Sequence, residues 1–279
     1  MAGNRSPLTE TLRQQYDAPM YEALLLVFGE NIHHGVFDSS TDTFEAATIR
    51  ANELLAKSVP LGSGKRVLET ACGVGGAARY LARKFDVDVT ATNLSEGQLA
   101  IARQLTDEQG LDAKVRLEYA DFTDLPYGDN QFDCYWCQDS WLYGEDKPRM
   151  ISEAFRVLVP DGRLVFSDIV VSESVDPAQS RPFLDRINAP AMCKATDYDS
   201  ALRRAGFLVT QREDWSRHLK RSLEMVCNDI DAKKQTMAEI AGIAAVEDTI
   251  ERFHTWREAA RNDHLAHVFF CALKPAIEQ

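Results

Sequence analysis

The chain predicts an α/β fold, a parallel sheet with helices on both faces, and four observations carry that reading. In Arg66-Val67-Leu68-Glu69-Thr70-Ala71-Cys72-Gly73-Val74-Gly75-Gly76 a short apolar run ends in an acid and a glycine-rich turn. Ala77 to Phe85 follows with the periodicity of an amphipathic helix. Strand-like and helix-like segments then alternate to about residue 172, the pattern of parallel strands joined by crossover helices. Finally, Phe207–Gln211 and Val268–Leu273 read as a late strand pair that would finish the sheet.

The elements follow in order. Thr9 to Tyr16, Met20 to Phe28 and Phe44 to Ser58 read as helices. Residues 1–60 are too few to fold alone, so they are expected to pack on the core as a helical lid over the ligand cleft. Residues 61–279 form the main domain. After the glycine turn, Asp86–Asn93 is the second strand, and Ser95 with Gln98 three residues on reads as a helix cap. Val115–Tyr119 is the third strand and Gln131–Cys137 the fourth. A helix at Pro148–Val157 leads into a fifth strand, Leu158–Asp168. Residues 173–263 read as a helical insertion on the acceptor side, with helices near Pro182–Asn188 and Asp199–Ala205 and a mostly helical stretch over 215–263.

Bulk properties narrow the class. The 279 residues carry a formal net charge of −12, which argues against nucleic acid and anionic membrane surfaces as partners. That acidity fits a high-salt host or an ordinary acidic enzyme. No apolar run reaches the roughly 18 residues of a membrane span, and the polar N-terminus has no signal core, so a cytoplasmic enzyme is expected. The six cysteines read as reduced thiols. Cys134 and Cys137 should point to opposite faces of one strand, which disfavours a shared metal. Whether the enzyme is a monomer or a homodimer stays open.

The glycine turn lacks the dinucleotide spacing G-x-G-x-x-G, and its acid precedes the glycines. Glu69-x-x-x-Gly73-x-Gly75, with the strand ends at Asn93, Asp121 and Gln138 in register, resembles the Rossmann-like core of class I S-adenosylmethionine-dependent methyltransferases. A narrower resemblance spans about residues 16 to 273. Glu30-Asn31-Ile32-His33-His34-Gly35-Val36-Phe37, Gly75-Gly76-Ala77-Ala78-Arg79-Tyr80-Leu81, Asn93-Leu94-Ser95, Trp136-Cys137-Gln138-Asp139-Ser140-Trp141-Leu142 and Leu184-Asp185-Arg186-Ile187 are similar to segments of sarcosine/dimethylglycine N-methyltransferases. The chain departs from that pattern at Tyr143, where the family usually has His, at Cys193-Lys194, and at His267, where a Trp is missing.

The resemblance implies S-adenosylmethionine as cofactor and a small-molecule acceptor. Glu69, Ala71, Gly73 and Gly75 would meet the methionine end of the donor. Asn93, at a strand end, reads as a ribose contact or a helix cap, with Leu94 and Gln98 beside it. Asp121 reads as a turn cap, and the resemblance gives it the adenine amino group, with Phe122 adjacent. Gln138 sits at the cleft mouth as a donor or acceptor contact. The resemblance places His33, with Gly35, in the donor pocket; Tyr21 is a further candidate there, and His34 reads as a surface residue. Tyr21, Phe28, Trp141 and Tyr143 are candidates for an aromatic wall, although each is equally a core residue. Arg186 is the candidate to hold an acceptor carboxylate, or else a structural partner of Asp185 or another acid. No zinc-type His spacing and no nucleophile elbow is present.

The expected reaction is N-methylation of a small amino acid of the sarcosine or dimethylglycine type. A tertiary amine has no proton to lose, so orientation and desolvation would suffice. The alternatives are transfer to an oxygen, sulfur or carbon centre of another small molecule, and a non-catalytic donor-binding protein. An oxygen acceptor would need a base, which His33 or His267 beside the methyl position would supply.

Overall fold

A computed structural model describes residues 10, 11, 14, 16, 17 and 19–276; of the expected helix from Thr9 to Tyr16, residues 10, 11, 14 and 16 are helical and the others lie outside the described residues. Ahead of the sheet lie α1 (Pro19–Phe28) and α2 (Phe44–Lys57). Then come β1 (Arg66–Thr70), α3 (Gly76–Phe85), β2 (Asp88–Asn93), α4 (Glu96–Glu108), β3 (Val115–Tyr119) and β4 (Phe132–Gln138). A single 3-10 turn, Trp141–Tyr143, leads to α5 (Lys147–Val157), β5 (Leu158–Val171), α6 (Pro177–Arg186) and α7 (Ala195–Arg204). The chain ends with β6 (Leu208–Asp214), α8 (Ser216–Ala241), α9 (Ile243–Arg261) and β7 (Leu265–Leu273).

The seven strands form one sheet in the order β3-β2-β1-β4-β5-β7-β6. β1 pairs in parallel with both β2 and β4, so the chain reverses its winding direction between β1 and β4. Ligands of open α/β sheets bind at the carboxyl ends flanking such a point. β7 is antiparallel to β5 and β6, which makes the sheet mixed rather than parallel throughout.

Both faces are covered, and the strands alternate between two cores as a period of two requires. Leu68, Tyr135, Phe166 and Phe270 face the core built with α5 and α7. Val67, Trp136, Val165 and Phe269 face the core built with α2, α3 and α4. Cys134 and Cys137 fall in different cores, so they do point to opposite faces.

Local chemistry sets the boundaries. Ser95 Oγ accepts from Gln98 N at 3.1 Å, capping α4 as its spacing predicted. α6 starts earlier than expected, because Asp176 caps it through Ala178 N at 2.7 Å and Pro177 fits the first turn; Pro182 falls inside the helix. The 215–263 stretch is two helices, because Gly242, at φ +83°, breaks it.

The N-terminal segment is fastened to the core. Met20, Ala23, Leu24, Val27 and Phe28 of α1 pack on Val226, Ile230 and Met237 of α8 and Val246 of α9. The buried Arg79 donates to Glu30 Oε2 at 2.7 Å. Ser95 Oγ donates to Asp17 Oδ1 at 2.6 Å. At Gly76 a Cβ would sit 2.2 Å from the Glu30 carbonyl oxygen, so only glycine lets the segment approach this closely. The span 173–263 contributes β6 to the sheet and α8 and α9 to the wall above it.

Candidate active site at the carboxyl ends of β1 and β4

A cavity of about 160 Å³ opens at the carboxyl ends of β1, β2 and β4. Of the residues expected from sequence it is lined by Tyr21, His33, Ala71, Gly73, Asn93, Leu94, Gln98, Phe122 and Tyr143. A narrower recess beside it is lined by Glu69, Gln138 and Glu30 and shares His33, Ala71 and Gly73 with the cavity. Gly75 stands just behind, as the N-cap of α3 at φ +78°. A larger groove of about 820 Å³ lies at the opposite end of the sheet, along Arg66, Asp88 and Val115 where the strands begin. Lys114, in that groove, pairs with Asp86 and Asp88, and the groove is remote from the winding reversal.

The residues present fit S-adenosylmethionine on two observations. Glu69 Oε2 and Gln138 Nε2 are buried in the recess without hydrogen-bond partners, an acceptor and a donor facing one space. The amino-acid end of the donor carries one ammonium and one carboxylate, which match that pair. Burial raises the Glu69 carboxyl to about 8, against the nearby Arg79 charge and the Ala78 N–H. Gly73 and Gly75 are both left-handed, at φ +56° and +78°, so the turn presents bare backbone beside the recess.

Asn93 lines the cavity, and its side chain braces the turn before α4 while Ser95 caps the helix. Its Oδ1 accepts from Leu94 N at 2.8 Å and from Ser95 N at 3.3 Å, while its amide donates to Gly73 O at 3.2 Å and Gln98 Oε1 at 2.7 Å. It thus ties the glycine turn to the start of α4 while lining the cavity. Asp121 Oδ1 accepts from Thr123 N at 2.8 Å and Thr123 Oγ1 at 2.7 Å, the cap of a turn. Its neighbours Ala120 and Phe122 line the cavity where Asp121 itself does not.

Two expected residues lie elsewhere. Trp141 is fully buried and packs on Phe166 with ring centroids 4.7 Å apart, so it belongs to the core rather than to an acceptor wall. Arg186 pairs with Glu251 of α9 on a half-exposed surface and does not line the cavity, which answers to its structural alternative. His34 also differs from expectation: it is buried and lines the cavity, because residues 30–37 run under α8 instead of over the surface.

Sequence reasoning missed a polar cluster. Asp139 follows β4 at φ +48°, an uncommon conformation for a residue with a Cβ. Its carboxylate accepts from His34 N and Ser167 Oγ, both at 2.7 Å, and from His267 Nε2 at 2.8 Å. Burial would raise Asp139, but the His267 charge and hydrogen bond, helped by His34 and His33, outweigh it and hold the carboxyl well below the usual range. Burial lowers His34 to about 4 and also lowers His33. Asp139 and Ala71, at φ +55°, are both left-handed and both line the cavity. Such strain collects at functional sites, and the only hint of it in the sequence was the Gln138-Asp139-Ser140 segment.

The remaining lining is aromatic. Tyr16 lies 4.5 Å from Tyr21 and 6.1 Å from Tyr143 between ring centroids. Phe28, Phe122, Phe253 and Trp256 continue the wall. Among the described lining residues Asp139 is the one anionic side chain, and none is Lys or Arg. No group of His, Cys, Asp and Glu among the described residues is arranged to hold a metal ion. No helix among them is long and apolar enough to cross a membrane.

A winding reversal, a glycine turn and an orphaned acid–amide pair define a nucleotide-type donor site, and comparison with known proteins names the class. The methyltransferase-domain family matches residues 68–166. The chain is 35% identical over 242 residues to the sarcosine/dimethylglycine N-methyltransferase of Halorhodospira halochloris, covering 85% of each. It is 32% identical to the 27-O-demethylrifamycin SV methyltransferase of Amycolatopsis mediterranei, over 96% of this chain and 98% of that protein. A Galdieria sulphuraria protein described provisionally as a sarcosine dimethylglycine methyltransferase superposes with a TM-score of 0.85 at 25% identity, over 92% of this chain and 98% of that one. The chain belongs to the class I S-adenosylmethionine-dependent methyltransferases. It is an enzyme of that family, with S-adenosylmethionine as its methyl donor and a small molecule as its acceptor.

Proposed function

We propose that the enzyme transfers the methyl group of S-adenosylmethionine to the nitrogen of a small amino acid of the sarcosine or dimethylglycine type. The observation that carries this reading is the character of the cavity: an aromatic wall, one ionised carboxylate and no cationic side chain among the described lining residues. A nitrogen gains positive charge as it accepts a methyl group. Faces of Tyr16, Tyr21 and Tyr143 attract such a charge by cation–π interaction, and Asp139 adds a Coulomb term in a low-dielectric site. The sulfonium donor, when bound, supplies an activated methyl group. Glu69 and Gln138 would hold its amino-acid end, Asn93 its ribose, and Asp121 with Phe122 its adenine. The remaining work is orientation and exclusion of water, done by α1, α8 and α9 closing over the strand ends. The relative from Halorhodospira halochloris supports the same acceptor class.

A specific observation favours a second reading. His33 and His34 line the cavity, and burial keeps His34 neutral at ordinary pH. A neutral imidazole beside an acceptor hydroxyl is a general base, which suits O-methylation. The relative from Amycolatopsis mediterranei is named for that chemistry. Assaying release of S-adenosylhomocysteine with dimethylglycine, sarcosine, glycine, dimethylethanolamine and a panel of alcohols and phenols decides between them. Turnover with the amino acids is expected. Turnover confined to hydroxyl acceptors would overturn the amino-acid reading.

A further inference from the structure

Arg186 was the sequence's candidate for an acceptor carboxylate, but its guanidinium is taken up by Glu251 on the outer side of α9. The next residue, Arg252, lies about 100° further round that helix. A second cavity, of about 210 Å³, adjoins the first and shares Tyr21, Leu24, Tyr143, Phe253 and Trp256 as its walls. Arg252 lines it, and among the described lining residues of both cavities Arg252 is the one Lys or Arg.

We infer that Arg252 sets acceptor specificity by holding the carboxylate of the amino acid from across the Tyr21–Tyr143 wall. The inference rests on the amino-acid reading of the site. In an α-amino acid one carbon separates nitrogen from carboxyl, so the carboxylate oxygens lie within about 4 Å of the nitrogen by standard bond lengths. With the nitrogen against the Tyr16, Tyr21 and Tyr143 rings, a carboxylate directed past Tyr21 and Tyr143 meets the shared wall, where Arg252 is the cation.

The guanidinium has capacity to spare. Its side chain is 21% exposed. One Nη donates to Thr249 Oγ1 at 3.3 Å, a long bond. Nε lies 3.1 Å from Asp248 Oδ2 yet is buried without a hydrogen bond, because that pair is poorly aligned. Asp248 is itself more than half exposed, so water weakens its hold. Five N–H groups in a planar fork leave a free edge for a carboxylate, which an ammonium could not match in geometry. Arg252 also acts on the shared wall: burial pushes the Tyr143 phenol up to about 12, and hydrogen bonding to Tyr16 and the Arg252 charge both pull the other way.

The test compares kcat/KM for dimethylglycine with that for dimethylethanolamine, which has a hydroxyl in place of the carboxylate, in wild type, Arg252→Lys and Arg252→Gln, with thermal melting of each. Arg252→Gln should lower the dimethylglycine to dimethylethanolamine ratio about tenfold or more through KM, the usual effect of losing a charge-assisted hydrogen bond. Arg252→Lys should fall between. Donor affinity should hold in both. An unchanged ratio, with activity lost equally on both acceptors or only the melting temperature lowered, would overturn the role of Arg252 while leaving the amino-acid reading intact. A wild-type enzyme inactive on every amine removes the amino-acid reading itself, and this assignment with it.

Discussion

His267 Nε2 lies 2.8 Å from Asp139 Oδ1, and the His267 side chain is wholly enclosed while that of Asp139 is 5% exposed. An ionised carboxylate only accepts, so Nε2 carries the proton and the imidazole anchors Asp139 from behind the cavity. His267→Ala would strip the largest favourable influence on that buried charge. Removing one member of a buried pair typically costs about 3–5 kcal/mol, and a urea denaturation series should show a loss of that order. A loss under about 1 kcal/mol would mean that Ser167 and the His34 N–H suffice to hold the carboxylate.

The imidazoles beside Asp139 make stability pH-dependent. Burial lowers His34 from 6.5 to about 4 and lowers His33 as well, so below the unfolded value the unfolded chain binds more protons. Stability therefore falls as pH drops from about 6.5 toward 4, by a few kcal/mol at most. Asp139 acts with the same slope lower down: its contribution is complete above the ordinary carboxylate range and fades only in stronger acid. Melting temperature against pH should decline over that upper window in wild type and flatten in His34→Gln. A flat wild-type profile would show that both rings are solvated in solution.

The donor half of the site was legible because it is local. Strand, acid, glycine turn and helix are consecutive from Arg66 to Phe85, and the strand-end residue Asn93 falls at a fixed interval. The part proposed for the acceptor was not, because it is assembled from distant segments. Phe253 and Trp256 look like core residues of an amphipathic helix until α9 is seen to pass over the strand ends. Asp139, His34 and His267 meet across 105 and 128 residues of sequence, and no spacing announces them. Trp141 stayed open between wall and core because an aromatic beside a cleft motif and an aromatic in a core look alike in sequence; the Phe166, Tyr135 and Tyr198 rings around it decide for the core. The mixed sheet had no local signature either, since the direction of β7 depends on where the helices before it return the chain.

Arg186 now has a structural role to test. Its ion pair with Glu251 joins α6 to α9, and both side chains are more than a third exposed, so screening limits its worth to about 1 kcal/mol or less. Arg186→Ala should leave donor affinity and the acceptor Michaelis constant within about twofold and lower stability only slightly. A large rise in that constant alone would return Arg186 to the site.

Glu69 predicts a coupling of donor affinity to pH. Without donor its carboxyl titrates at about 8, raised by burial, yet an ammonium in the recess needs it ionised. Affinity for S-adenosylhomocysteine, measured by calorimetry, should therefore rise between about pH 6 and 8 and be accompanied by proton release, because binding favours the charged form. Glu69→Gln should abolish the proton release and weaken binding by about 1–3 kcal/mol. Binding that ignores pH over this range would show that Glu69 stays neutral and donates to the ligand instead.

Asp121 separates adenine recognition from turn capping. Its Oδ1 is committed to the Thr123 N–H and hydroxyl, which leaves Oδ2 for an adenine amino group. Asp121→Asn keeps an oxygen to cap the turn but replaces the other acceptor with an NH2 donor, which would face the adenine amino group donor to donor. Melting temperature should stay near that of wild type, while affinity for S-adenosylhomocysteine falls by about 1–3 kcal/mol, or roughly five- to 150-fold. Asp121→Ala should lose both. If Asn binds the product as tightly as Asp while Ala loses only stability, Asp121 is a turn cap, and the adenine is held by Phe122 and the backbone alone.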